Sequence, residues 1–138
     1  MTELIVCTTC RSPGAAREQP ATGQSLLEAV RDALRAQPAT EAACEGAGHG
    51  DTLRIIGTAC LSSCSRACTV ALQAPGKHIY CFGDLTPDPE TAAQVLACAR
   101  LHQRSADGLL PWQHRPERLR SGILVRLPPF AAASTEEA

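Results

Sequence analysis

Apolar residues recur along the chain in short extended runs separated by two helical stripes. Leu4, Ile5 and Val6 form an apolar, partly β-branched run that predicts a strand over Glu3–Cys7. The stretch from Arg11 to Gly23 contains Pro13, Gly14 and Pro20 and reads as loop. Ser25 with Glu28 has the form of a capping box, and Leu26, Leu27, Val30 and Leu34 give the following helix an apolar face to about Gln37, with Pro38 as its stop. Pro38 to Asp51 is rich in Ala, Gly and Glu and reads as a second loop, and Leu53–Gly57 is the next strand. Cys68, Val70 and Leu72 alternate with Thr69, Ala71 and Gln73, predicting a half-buried strand. Pro75-Gly76 is a turn signal, and His78–Phe82 is the hairpin partner. Asp88 before Pro89, with Glu90 in the first turn, starts a second helix that runs to about Arg104.

The order is strand, helix, strand, strand, strand, helix. Its first three elements predict a βαβ unit and the next two strands a hairpin, hence an α/β fold with a small mixed sheet and helices on its faces. With 138 residues, the chain fits one domain. Residues 1–106 form the α/β unit. Residues 107–138 are expected to be an arginine-rich, ordered extension of the same domain, ending in a frayed tail from Ala131.

Charge narrows the functional classes. Thirteen basic and fourteen acidic side chains leave a net charge of −1, which argues against nucleic acid as a partner. The start, MTELIVCTTC, lacks the basic head and long apolar stretch of a secretory signal, and no run approaches the ~18 apolar residues of a membrane span. The expectation is a cytoplasmic protein with no membrane partner, where clustered cysteines bind metal or exchange electrons more often than they form disulfides.

Eight cysteines carry the chemistry. Cys7 and Cys10 form C-x2-C at the end of the first strand, and Cys60 and Cys64 form C-x3-C just beyond the second. If those strands are parallel neighbours, their C-terminal ends share one sheet edge and two pairs 49 residues apart converge there. Four thiolates suit a [2Fe-2S] cluster or a tetrahedral zinc ion. The x3 spacing of the second pair departs from the usual zinc knuckle and favours the cluster. Cys68 reads as an alternative ligand, a supporting thiol or a core position; Cys81 reads as packing or ligation, Cys98 as packing, and Cys44 as an extra ligand or an exposed loop thiol.

Competing chemistries fit less of the pattern. C-x2-C after a strand is also the form of a metal-free dithiol redox site, but Cys10 is followed by Arg11-Ser12-Pro13-Gly14 rather than by a helix. His49, His78, His102 and His114 form no metal triplet, and neither a hydrolytic triad nor a phosphate-binding glycine loop is present, so no catalytic residue is assigned. Arg100, Arg104, Arg115, Arg118, Arg120 and Arg126, against Asp107 and Glu117, offer a docking face for an acidic redox protein. Homodimer formation through this segment is compatible with the same composition.

The blocks LIVCTTCR, CLSSCSRACTVALQAPGKHIYCFGDL and DGLLPWQHRPERLR-SGILVRLPP resemble the predicted metal-binding family named domain of unknown function 1636, from Leu4 to about Pro129. That family resembles thioredoxin-like [2Fe-2S] ferredoxins and is often encoded near cobalamin-biosynthesis genes. The resemblance implies a thioredoxin-like fold and a small ferredoxin-like electron carrier or a metal-related accessory protein. Cys7 matches the first cluster cysteine of those ferredoxins, and Cys60 and Cys64 match the later pair. Cys10 departs from their pattern, in which the second cysteine follows a longer loop. Cys68 and Cys81 therefore stand beside Cys10 as alternatives for the fourth ligand, and zinc stands beside the cluster.

Overall fold

The structure, a computed structural model, describes residues 2–9, 11, 21–36, 53–59, 61 and 66–129. Strand β1 (Thr2–Cys7) leads to helix α1 (Thr22–Arg35) and then to β2 (Leu53–Thr58). The hairpin β3 (Val70–Gln73) and β4 (Ile79–Phe82) precedes helix α2 (Pro89–Arg104). A 3-10 turn (Trp112–His114), a short helix α3 (Arg118–Ser121) and strand β5 (Ile123–Leu127) complete the order. Among the described residues the strands form one sheet in the order β2-β1-β3-β4-β5. β2 runs parallel to β1, and β3, β4 and β5 are each antiparallel to the preceding strand in that order. A βαβ unit followed by ββα, with β1 between β2 and β3, is the thioredoxin-like arrangement; β5 extends it at the far edge.

Local chemistry explains most boundaries. Asp88 caps α2 by accepting from the Thr91 N–H at 2.8 Å, with Pro89 at the first helical position. Gly76, at φ 72°, supplies the left-handed residue that the tight β3–β4 connection requires. Two expectations need correction. Helix α1 begins at Thr22, three residues before the Ser25 capping box, and its N-cap Ala21 offers no side-chain bond. Strand β3 begins at Val70, and it is buried on both faces: Val70 and Leu72 on one side and Ala71, registered between Ile5 and Cys81, on the other are all buried.

Both helices pack against each other and against one face of the sheet. Leu4, Val6, Val70, Leu72, Tyr80 and Phe82 meet Leu26, Leu27 and Val30 of α1 and Val95 and Ala99 of α2 there. The rings of Tyr80 and Phe82 stack with centroids 5.8 Å apart. Each such side chain contributes about 1.5–3 kcal/mol when taken from water, so this one-sided layer is the main source of stability. The opposite face carries Ile56, Ile5, Ala71, Cys81 and Val125 in a row across the strands. No helix of the described residues is long and apolar enough to cross a membrane. The tail from residue 130 lies outside the described residues.

Candidate metal centre

The parallel pairing of β1 with β2 decides what the cysteines can do. Their register sets Leu4 beside Ile55, Ile5 beside Ile56 and Cys7 beside Thr58, so the chain leaves both strands at the same edge. Beyond that point the two exits stay bonded. The Thr8 N–H donates to Thr58 O at 2.8 Å, its hydroxyl donates to the same oxygen at 3.0 Å, and the Thr9 hydroxyl donates to Ala59 O. The Cys7 thiol faces Ala59 O at 4.0 Å and Thr9 Oγ1 at 3.9 Å, and is therefore oriented towards the residue that precedes Cys60.

Cys7 is held from every side. Its N–H donates to Thr69 O at 3.0 Å, across from β1 to the chain entering β3. Helix α1 closes on it from above: a Cβ built on Gly23 would lie 1.9 Å from Cys7 O, so only glycine admits this approach. Cys7 is 1% exposed. The first turn of α1 thus packs directly on the backbone of Cys7 at this edge. Sequence spacing had separated the C-x2-C pair from any helix start; folding returns the start of α1 to Cys7. Gly23 itself was the available signal, because a glycine inside a helix marks a close approach.

The remaining cysteines divide by burial. Cys68 is fully buried in the core, with its backbone paired reciprocally to Leu85 through bonds of 2.9 and 3.2 Å. Burial, and then the neighbouring Cys7, push its thiol up to about 11, so it is a core position close to the edge. The peptide bond before it, Ala67–Cys68, is cis. Cys98, on α2, is fully buried, and burial pushes its thiol up to about 12 against the opposing pull of Arg115. Cys81 is partly exposed on the open sheet face, and burial raises its thiol as well. Cys10, Cys60, Cys64 and Cys44 lie outside the described residues. Among the described residues no three Cys, His, Asp or Glu side chains come together to hold a metal.

One buried polar group escaped the sequence reading. His102 is fully buried, its Nε2 2.7 Å from His78 O and its Nδ1 2.9 Å from Thr2 Oγ1. This pairing suits a neutral ring that donates from Nε2 and accepts the Thr2 hydroxyl at Nδ1. Burial comes first among the causes that hold its pKa below the ordinary 6.5, with the charges of Lys77 and the N-terminus acting the same way. Its spacing of four from Cys98 and seven from Val95 places it on the inner stripe of α2, which was the signal. The arginine-rich segment is likewise split by burial. Arg100 and Arg115 are buried, whereas Arg104, Arg118 and Arg126 are exposed.

The model of the family described as "Protein of unknown function (DUF1636)" matches residues 4–129. A search of curated proteins found no match. Among solved structures, the chain is similar to a thioredoxin-like [2Fe-2S] ferredoxin from Aquifex aeolicus, at 19% identity and a TM-score of 0.41, over 64% of this chain and 73% of that one.

Proposed function

The chain belongs to the DUF1636 family, and from that premise we propose a metal-related accessory protein, specifically a cytoplasmic one-electron carrier whose [2Fe-2S] cluster is held by Cys7, Cys10, Cys60 and Cys64. The observation that carries the reading is the shared exit of β1 and β2, with the Cys7 sulfur 4.0 Å from Ala59 O, one residue before Cys60. The donor set fits: thiolates are the soft ligands that such a cluster takes. When bound, the cluster would accept and release a single electron. The chain's own part is to fix the first thiol, through the Thr69 bond, the Thr8 and Thr9 bonds across the exits, and the close seat of α1. A buried anchoring thiol keeps water from one side of the site, and exclusion of water is one of the protein's controls on potential. The exposed Arg104, Arg118 and Arg126 would steer an acidic redox protein to this carrier. The frequent encoding of this family near cobalamin-biosynthesis genes suggests that pathway as its setting.

One observation favours a second reading. The start of α1 packs on the Cys7 backbone, and a C-x2-C beside a helix start is also the form of a dithiol redox site, here a reversible Cys7–Cys10 couple without metal. Zinc on the same thiolates is the third outcome. Metal and acid-labile sulfide analysis of anaerobically purified protein separates them. The cluster predicts about two iron and two sulfide per chain, with an EPR signal after dithionite reduction. Stoichiometric zinc without sulfide would overturn it in favour of a structural site; metal-free protein with a titratable Cys7–Cys10 disulfide would overturn it in favour of a dithiol. Unchanged iron and sulfide in Cys10→Ser would remove Cys10 from the ligand set.

A further inference from the structure

Away from the cysteine edge, the segment that follows α2 folds back over the helix-side face of β4 and β5 and leaves a cavity of about 540 Å3 beneath it. That is within the ~300–1,000 Å3 range of small-molecule sites. Its walls are Tyr80, Leu110, Trp112 and Ile123, and its polar groups include Arg115 and Arg126. No acidic side chain lines it among the described residues.

The polar side chains there are all donors with capacity left over. Arg115 is 9% exposed; one guanidinium nitrogen donates to Leu119 O at 3.3 Å, and its buried Nε has no acceptor. A buried, uncompensated guanidinium is costly unless an anion joins it. Arg126, registered opposite Tyr80, has no carboxylate or carbonyl partner among the described residues. The Tyr80 hydroxyl accepts from the Leu110 N–H at 2.9 Å and gives its own proton to no described residue. Trp112, 56% exposed, is kept in place by the Arg120 guanidinium lying 5.0 Å over its ring. Arg120 is itself tied to Arg115 O and Gln113 O. An apolar slot walled by an aromatic residue, with two guanidinium groups and a phenol at its polar side, matches a flat organic acid.

We propose that this cavity binds a small aromatic or aliphatic carboxylate, its apolar body against Leu110, Ile123 and Trp112 and its carboxylate on Arg115 and Arg126. Trp112 is the single tryptophan of the chain, so binding is read on its emission, with saturation-transfer NMR of the ligand as a second readout. The probe is 4-phenylbutyrate, compared with its uncharged relative 4-phenylbutan-1-ol. The expected result is saturable binding of the acid and about tenfold weaker binding of the alcohol, as loss of a charge-assisted hydrogen bond implies. Arg126→Gln, a surface change that leaves the core intact, should weaken the acid by a similar factor. Arg126→Lys should restore part of it, and Arg35→Gln, on exposed α1 away from the cavity, should change nothing. Absence of saturable binding by both readouts, equal binding of acid and alcohol, or undiminished binding in Arg126→Gln would each overturn the proposal. Its outcome is independent of what the cysteines hold.

Discussion

Replacing Gly23 with alanine tests whether the seat of α1 on the cysteine edge is as tight as the geometry requires. The added methyl would meet Cys7 O at 1.9 Å and the carbonyl carbons of Cys7 and Thr8 at 3.0 and 3.3 Å. All three are backbone atoms, so no rotamer change relieves the contact; the helix start must withdraw by more than about 1 Å. Two effects oppose each other. Alanine is the better helix former by up to ~1 kcal/mol, whereas forcing a methyl into a packed contact typically costs ~1–3 kcal/mol or more. Here the contact is with backbone of a central strand, which puts the cost at the upper end and the net destabilisation at about 2 kcal/mol. Urea unfolding followed by far-UV circular dichroism measures it, as a lower midpoint at unchanged slope. Under the proposed cluster assignment the same variant should hold less iron and sulfide, because the displaced backbone carries Cys7. A G23A protein as stable as the parent, or more stable, would show that helix propensity dominates and would falsify the close-seat argument.

His102 gives stability a pH dependence with a definite sign. Its folded pKa lies below 6.5 because it is buried as a neutral ring, so the unfolded chain takes up the proton first. The contribution is intact above the ordinary value and is lost as pH falls through 6.5 towards the lower folded value; His102→Gln should flatten this slope, and parallel slopes would exclude the ring as its source. Among the described cysteines, alkylation mapped by mass spectrometry should label the partly exposed Cys81 well ahead of Cys68 and Cys98, whose thiols sit near 11 and 12. Equal labelling of Cys98 and Cys81 in the folded protein would contradict the burial described for α2.

What could be read from the residues followed how local the cause was. Asp88-Pro89 places the start of α2 because capping needs only the neighbouring N–H groups, and Pro75-Gly76 places the hairpin turn for the same reason. The start of α1 was misplaced at Ser25 because its true position answers to Cys7 O, across the fold from the helix. β5 was missed although Ile123, Val125 and Leu127 alternate, because arginines and prolines surround them and the strand exists by pairing with β4. For the site, the shared edge followed from the residues only on the condition that β1 and β2 pair in parallel, which the fold meets. The closeness of Cys68 to Cys7 was not, since it arises where β3 enters beside β1, a pairing that no spacing rule encodes.

The pairing of β1 with β2 also fixes when the cysteine edge is assembled. The β3–β4 hairpin joins Val70 to Phe82 across a short turn, whereas β1 and β2 join Ile5 to Ile56 across the whole first helix and its loops. Closing the longer span costs more chain entropy before any contact repays it, so hairpin formation precedes parallel docking. On that ordering Cys7 meets the chain that leads into Cys60 only after the hairpin has formed. Under the proposed cluster assignment, loading of the site would therefore follow the pairing of β1 with β2 rather than precede it.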